Sequence, residues 1–192
     1  MTLLDEQYWS ERWKAQQTGW DIGAPAPAII EFFEKNNYQD KSILIPGCGN
    51  AYEALALWNL GYKNITIVEI VKSKVDELKV RFADTGIKVI HEDFFNHASK
   101  YDIIIEHTFF CALEPMLRNQ YAVHMRELLK ENGQLVGLLF DRIFEQSGPP
   151  FGGDTTSYYN LFSLYFSSVN IVPCNNSIAP RKGSEVWLHC NK

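Results

Sequence analysis

The sequence has no long apolar run and no run of basic residues, and we expect no secretory signal. A membrane-spanning helix needs ~20 consecutive, predominantly apolar residues, and no stretch of the sequence approaches that length. The N-terminus carries Asp5 and Glu6 where a signal peptide would be basic and then apolar. The net charge of −5 and the lack of any run of five basic residues argue against a nucleic-acid partner. We therefore expect a cytoplasmic protein that binds neither membranes nor nucleic acid.

Cysteine is scarce, and the four residues are Cys48, Cys111, Cys174 and Cys190. No two of them have the spacing of a metal knuckle, so the sequence predicts neither a zinc site nor a disulfide scaffold. Internal repeats and low-complexity segments are also missing. The 192 residues suffice for one domain with a sizeable core, and an aromatic content of 14% suits a chain with a ligand pocket. We expect a single domain over residues 1–192 and a monomer.

Apolar segments of strand length alternate with helical patterns through most of the chain. This alternation predicts an α/β fold with a mostly parallel sheet that has helices on both faces. The predicted strands are 42–45, 65–69, 88–91, 103–106, 134–140, 167–172 and 185–190. The predicted helices are 5–17, 26–36, 50–61, 71–82, 115–130 and 155–166. The connection between the last two strands is too short for a helical crossover, so we expect these strands to pair antiparallel.

A glycine turn follows the first predicted strand, and an acid ends the second. Gly47 and Gly49 flank Cys48 in this turn, and Glu69 follows Gly47 by 22 residues. Glycines let the backbone approach a ligand closely, and the acid can hydrogen-bond a ribose. The pattern predicts a nucleotide cradle, although a turn that needs glycine for steric reasons alone has the same sequence. Asn50 is predicted to cap the next helix, with Glu53 completing a capping-box-like pattern.

The cradle fits two cofactors, a nicotinamide dinucleotide or S-adenosylmethionine, and three details favour the second. The dinucleotide fingerprint has a third glycine for close packing of helix and strand, where this chain has Tyr52. Asp93 and Phe94 follow the third strand, where an acid and an aromatic ring can pair with and stack on adenine. Segments 101–105 and 128–136 have the sequence pattern that is typical of the fourth and fifth strands of methyltransferases.

Four segments carry a resemblance to a known family that covers almost the whole chain. They are WSERW at 9–13 with Trp20 beyond it, IPGCG at 45–49, FFCALEP at 109–115 and GPPF at 148–151. In this order they resemble the thiopurine S-methyltransferase family, and most of all its plant-type halide and thiol methyltransferase branch. The resemblance implies a class I methyltransferase fold, which is Rossmann-like with a mostly parallel seven-stranded sheet and an antiparallel last strand.

The resemblance also implies S-adenosyl-L-methionine as the cofactor, covered by the N-terminal segment 1–22. The implied contacts are Trp9, Trp13, Trp20, Gly47, Glu69, Asp93, Phe94 and His107. A sulfonium is a cation without hydrogen-bond donors, so aromatic faces suit it and are worth ~0.5–2 kcal/mol each when desolvated. For the tryptophans at 9 and 13, the structural alternative is an amphipathic helix packed on the rest of the domain, and for His107 it is a polar residue at the end of a strand. We expect Glu69 to bind the ribose of the cofactor, and Asp93 and Phe94 to flank its adenine. The backbone at Gly47 is expected to lie beneath its methionine portion.

The candidate acceptor pocket consists of Phe151 in the loop 148–153, Arg181 between the last two strands, and Phe110. Arg181 could hold an anionic nucleophile or a substrate carboxylate, or it could be a solvated turn residue. Phe110 could line the pocket or belong to the core. Phe151 stands where the plant branch usually has tyrosine, so the acceptor stays open among thiols, thiocyanate, sulfide, thiopurines and halide.

Methyl transfer is an in-line displacement, for which the enzyme must align the nucleophile and exclude water. A thiolate or halide needs no general base, and the sequence has no evident Ser/His/Asp or Cys/His constellation, so we assign no catalytic residue and no metal. The hypothesis is an S-adenosylmethionine-dependent methyltransferase that acts on a small molecule, most of all a thiol or related sulfur anion. The alternatives are a NAD-dependent oxidoreductase, which Tyr52 and the tryptophans disfavour, and a non-catalytic cofactor-binding protein.

Overall fold

The computed structural model describes residues 4–192 and consists of one seven-stranded sheet between two layers of helices. The strands are β1 (Ile43–Pro46), β2 (Ile65–Glu69), β3 (Lys88–His91), β4 (Tyr101–His107), β5 (Leu129–Phe140), β6 (Ser168–Pro173) and β7 (Glu185–Asn191). The helices are α1 (Glu6–Lys14), α2 (Pro27–Lys35), α3 (Tyr52–Asn59), α4 (Lys72–Arg81), α5 (Arg118–Leu128) and α6 (Thr155–Phe162).

The sheet has the order β3-β2-β1-β4-β5-β7-β6. Strands β1 to β5 are parallel, whereas β7 runs antiparallel to both β5 and β6. The predicted fold class is thereby confirmed, including the antiparallel last strand. The strand order reverses between β1 and β4, and in open α/β sheets the crevice at such a point, beyond the carboxyl ends of the strands, binds ligands.

The central strands are apolar on both faces because helices cover both sides of the sheet. Ile45 of β1 packs in one cluster with Phe33 of α2 and Leu57 of α3. The adjacent Leu44 points to the opposite face and packs with Tyr121 of α5. Each fully buried side chain of this size contributes ~1.5–3 kcal/mol relative to leaving it in water. These two clusters hold the strand ends in place.

The structure corrects the prediction for the start of the third helix. Asn50 does not cap α3, because the residue before the helix is Ala51, with a left-handed φ of +53° and no side-chain cap. The Asn50 amide instead donates to Asp21, and its Oδ1 accepts a hydrogen bond from Lys74 Nζ at 2.7 Å. Glu53 is buried within α3 rather than capping it. The capping-box interpretation is therefore wrong for both residues.

The boundary between α5 and β5 also differs from the prediction. Helix α5 ends at Leu128 and the strand begins directly at Leu129, which pairs with Tyr101 of β4. The pairing shifts register immediately after Tyr101, and Asn132 adopts a left-handed φ of +61°. Residues 129–133 therefore belong to an irregular first part of the strand, whereas the sequence predicts the end of the helix there.

Among the described residues, no helix is long and apolar enough to span a bilayer.

Asp102 on β4 anchors the end of the sheet opposite the predicted cradle, and its Asp102→Asn variant should be less stable. Its Oδ2 accepts hydrogen bonds from Ser42 N at 2.8 Å, Ser42 Oγ at 2.6 Å and Lys130 Nζ at 2.7 Å. Burial raises the pKa of Asp102, but the hydrogen bonds from Lys130 and Ser42 outweigh it and hold the pKa well below the usual range. We expect a loss of ~1.5–3 kcal/mol in the free energy of unfolding at pH 7, measured by urea denaturation.

The pH dependence tests the same contact. Because the pKa is lowered in the folded state, ionised Asp102 stabilises the fold above the unfolded-state value of ~4, and this contribution is lost as pH falls below it. The difference in the free energy of unfolding between wild type and Asp102→Asn should therefore shrink in this acidic range. The exposed Asp40→Asn is the control, with an expected change within ~0.5 kcal/mol. A difference that persists unchanged in acid would contradict the assignment.

Candidate active site

A cavity of about 260 Å³ lies at the carboxyl edge of the sheet, next to β1, β2 and β4. Its walls come from the N-terminal segment, the turn after β1, the ends of β2 and β4, and the loops after β4 and β5. Six of the eight predicted cofactor contacts line it: Trp9, Trp13, Trp20, Gly47, Glu69 and His107. The volume lies just below the ~300–1,000 Å³ range of small-molecule pockets.

The turn after β1 has the backbone conformation that the glycine pattern predicts. Gly47 and Gly49 have φ values of +56° and +52°, in the left-handed region that favours glycine. A Cβ at Gly47 would lie 2.3 Å from the ring of Phe109, which also lines the cavity. At Gly49 the nearest atom would belong to Trp13, at 3.6 Å. The first glycine therefore lets the turn pack on Phe109, whereas the second is favoured by its left-handed backbone alone.

This difference gives a paired prediction. Gly49→Ala should lower the free energy of unfolding by ~1–2 kcal/mol, because alanine is strained in the left-handed conformation although its Cβ has room. Gly47→Ala should cost ~1–2 kcal/mol more, because Phe109 must also move. Urea denaturation of the two variants measures the difference. Equal losses would mean that the Phe109 ring does not pack on the turn.

Glu69 lies at the end of β2 with its carboxylate directed at the turn. Its Oε2 accepts a hydrogen bond from Gly49 N at 3.0 Å, and its Oε1 accepts one from Val71 N at 2.9 Å. Burial raises the pKa of Glu69, and the two N–H donors only partly offset this. A carboxylate has about four acceptor positions, so each oxygen retains one for a ligand hydroxyl in the cavity. Glu69 therefore has the acceptor positions that the two hydroxyls of a ribose require.

Helix α1 and the residues after it cover the cavity with three tryptophans. Trp9 and Trp13 each meet Trp20 edge to face, with ring centroids 5.5 and 5.6 Å apart. The ammonium of Lys74 lies 4.5 Å from the Trp13 ring centroid, which shows that this ring already attracts a cation. The first three residues of the predicted cover 1–22 lie outside the described residues.

The cover is anchored to the body at both ends. Near its start, Glu6 Oε1 accepts a hydrogen bond from Lys72 N at 3.0 Å. Near its end, the carbonyl of Trp20 accepts one from Arg181 Nη2 at 2.7 Å, and Ala26 N donates to Glu53 Oε1 at 2.9 Å. The N-terminal segment is thus docked over the cavity by specific polar contacts.

A buried chain of charged groups links the cover to the sheet. Glu53 Oε1 lies 2.9 Å from His107 Nδ1, and His107 Nε2 lies 3.3 Å from Arg181 Nη1. Arg181 also pairs with Glu185 at 3.2 Å. Burial raises the pKa of Glu53, but the hydrogen bond from His107 and the positive charge of its protonated ring outweigh burial, so the pKa lies below its ordinary value. The sequence did not predict these contacts between charged groups, because the groups come from α3, β4, the turn before β7 and β7.

Two predicted adenine contacts lie beside the cavity rather than in its wall. Asp93 is exposed and accepts a hydrogen bond from Phe95 N at 2.9 Å. Phe94 is buried, and its ring meets that of Phe109 edge to face at 5.0 Å. Both follow β3, which pairs with β2 next to Glu69. Their contact with adenine stays a prediction.

The three candidate acceptor residues also lie outside the cavity wall. Phe110 is 1% exposed and packs on Tyr121, so it sits in the core. Arg181 is buried, which excludes the solvated-turn alternative. Phe151 is half-buried, and its backbone N donates to Cys111 O at 2.7 Å. Pro149 and Pro150 of the same loop line the cavity instead. Contact of the three predicted residues with an acceptor stays a prediction.

The fold matches methyltransferases whose structures are solved. The Burkholderia thailandensis 1,6-didemethyltoxoflavin-N1-methyltransferase, with bound S-adenosylhomocysteine, superposes with a TM-score of 0.73 over 97% of this chain and 86% of that chain. The sequence identity is 11%, so this match speaks for the fold alone. With the glycine turn, the acid at the end of β2 and the family relationship that follows, the class is an S-adenosylmethionine-dependent methyltransferase.

Sequence comparison gives the family. The model of the thiopurine S-methyltransferase family matches residues 4–184. Probable thiol methyltransferase 2 of Arabidopsis thaliana is 33% identical over 184 residues, which cover 92% of this chain and 81% of the relative. Thiocyanate methyltransferase 1 of Brassica oleracea is 28% identical over 189 residues, which cover 95% and 83%. The chain belongs to the thiopurine S-methyltransferase family, and the predicted activity class and cofactor are confirmed.

Proposed function

We propose that the protein transfers the methyl group of S-adenosyl-L-methionine to a small sulfur nucleophile, a thiol or a related anion such as thiocyanate. The observation that carries this is the apolar wall beside the glycine turn: Ala112, Leu113, Pro149 and Pro150, which follow β4 and β5. Such a wall suits a small, polarisable, weakly hydrated acceptor. The relatives named for thiol and thiocyanate methylation support the same acceptor class.

The cofactor supplies an electrophilic methyl group on a sulfonium cation. In the proposed arrangement Trp9, Trp13 and Trp20 present aromatic faces to this cation, and Glu69 accepts hydrogen bonds from the ribose. The cover excludes water and holds the acceptor in line with the methyl group. In well-oriented reactions such alignment supplies ~7–11 kcal/mol of the barrier.

A panel of acceptors with labelled methyl donor tests the proposal. The panel contains alkanethiols, hydrogen sulfide, thiocyanate, iodide and thiopurines, and kcat/KM is measured for each. We expect the highest values for a thiol, sulfide or thiocyanate. Turnover of iodide alone would overturn the proposed sulfur acceptor, and cofactor binding without any turnover would favour a non-catalytic protein.

We also propose that the protein is a cytoplasmic monomer without a nucleic-acid partner. All four cysteines are free thiols, which suits a reducing compartment, and the net charge is −5. Light scattering after gel filtration measures the mass in solution. A mass of two chains would contradict the monomer.

A further inference from the structure

His107 lines the cavity, and both of its ring nitrogens have partners. Nδ1 faces the Glu53 carboxylate at 2.9 Å, and Nε2 faces the Arg181 guanidinium at 3.3 Å. A guanidinium can only donate, so Nε2 must accept and carries no proton. The proton of the neutral ring is therefore on Nδ1, where the carboxylate accepts it. These contacts select the imidazole tautomer with an unprotonated Nε2, whose electron pair faces Arg181.

Glu53 has the contacts of a residue that orients a base. Its Oε1 also accepts a hydrogen bond from Ala26 N, and its side chain is 6% exposed. Because its carboxylate lies 2.9 Å from Nδ1, it can stabilise the imidazolium that forms when Nε2 takes a proton. A carboxylate on Nδ1 and an unprotonated Nε2 are the arrangement in which a histidine acts as a general base, once Nε2 exchanges its contact with Arg181 for the acceptor.

The surroundings leave His107 as the suitable base. Among the described residues that line the cavity, it is the one imidazole. The charged groups around it are Glu53 of α3, Arg181 with its partner Glu185, and the adjacent buried Glu106 of β4. The other titratable cavity residues are Asp21, Glu69, Arg12, Tyr8, Tyr52, Cys48 and Cys111. Arg181 keeps two other acceptors, Trp20 O and Glu185, so it can give up the 3.3 Å contact to an incoming acceptor.

We propose that His107 is the catalytic base that deprotonates a neutral thiol acceptor, with Glu53 as its positioning residue. This rests on the proposed function and narrows its acceptor to thiols that arrive protonated. The S–H bond breaks, its electron pair stays on sulfur, and the proton moves to Nε2. The acceptor sulfur then forms its bond to the methyl carbon while the old carbon–sulfur bond breaks and leaves its electron pair on the departing sulfur. His107 finally releases the proton to water.

A base matters only for acceptors that carry a proton, and this gives the test. Thiocyanate is already an anion at neutral pH, whereas an alkanethiol must lose a proton. For His107→Gln we expect the ratio of kcat/KM for ethanethiol to that for thiocyanate to fall about 100-fold, the lower range of general-base effects. The matched control is His189→Gln on β7, outside the cavity wall, for which we expect an unchanged ratio.

The outcomes separate this proposal from the proposed function. If wild type methylates no sulfur acceptor, the proposed function fails. If it methylates them and His107→Gln lowers ethanethiol and thiocyanate equally, His107 is not a base. If thiocyanate is not an acceptor, ethanethiol is compared with the more acidic thiophenol. His107→Gln should then lower kcat/KM less for thiophenol than for ethanethiol, and an equal decrease for both overturns the proposal.

A measurement on the resting protein tests the geometry without turnover. Nitrogen-15 NMR of labelled histidine should show His107 with its proton on Nδ1 and none on Nε2. Glu53→Gln serves if His107→Gln does not fold, because the amide oxygen still accepts from Nδ1 but carries no charge. We expect this variant to keep the tautomer and to lower the thiol-to-thiocyanate ratio about 10-fold. A proton on Nε2 in wild type, or an unchanged ratio in Glu53→Gln, overturns the proposal.

Discussion

Glu69→Ala is expected to weaken S-adenosyl-L-methionine binding by at least about 100-fold. Hydrogen bonds to a charged group contribute ~1.5–3 kcal/mol each, and a ribose offers two hydroxyls. The Glu69 carboxylate lines the cavity and is fixed by Gly49 N and Val71 N, so it is preorganised to accept both. Isothermal titration calorimetry of the variant and wild type measures the change in Kd.

The control for this experiment is a carboxylate that lies away from the cavity. Asp76 on α4 is exposed and pairs with Lys72, so Asp76→Ala removes the same charge without touching the cavity. We expect its Kd to change less than twofold. Circular dichroism verifies that Glu69→Ala is folded, because that variant also leaves two backbone N–H groups without their acceptor. Unchanged affinity in folded Glu69→Ala would mean that the ribose binds elsewhere.

Arg181→Ala is expected to lower the free energy of unfolding by ~3–5 kcal/mol. Removing one partner of a buried ion pair leaves the other charge uncompensated. Here the Glu185 side chain, which is 4% exposed, would remain as an isolated charge, and the carbonyl of Trp20 would lose its donor. Urea denaturation without cofactor measures the loss.

A second substitution shows whether the buried charge is the cause. Adding Glu185→Gln to Arg181→Ala removes the isolated carboxylate, so the double variant should be more stable than Arg181→Ala alone. Arg81→Ala, which breaks an ion pair with partly exposed side chains, should cost at most ~1 kcal/mol. A loss that small in Arg181→Ala would mean that the ion pair is solvated.

The cavity wall around the glycine turn was largely predictable because its signals are local. A glycine turn after an apolar strand and an acid at the end of the next strand are fixed by neighbouring residues, and parallel strands bring both to one edge of the sheet. The structure places Gly47, Gly49 and Glu69 together as that pattern predicts. Trp9, Trp13 and Trp20 were found through the family resemblance and not from periodicity.

The buried charged groups next to the cavity were not predictable because they depend on tertiary contacts. Asn50 and Glu53 have the spacing of a capping box, and nothing local distinguishes that pattern from a buried acid that holds a histidine from another strand. Likewise, the sequence around Arg181 indicates a turn but not burial, which results from its pair with Glu185 and its bond to Trp20. Such long-range pairings decide the roles of residues in loops.

The cavity places two cysteines beside the predicted site of a reactive methyl group, Cys48 in the glycine turn and Cys111 after β4. Burial and, next, the negative charge of Glu69 raise the pKa of Cys48 well above its ordinary value. Burial, followed by the charge of Glu106, raises the pKa of Cys111 to about 12. Because the thiolate is the nucleophile and the thiol is not, both side chains remain unreactive at neutral pH. The acid expected to bind the ribose therefore adds to the burial that keeps Cys48 a neutral thiol.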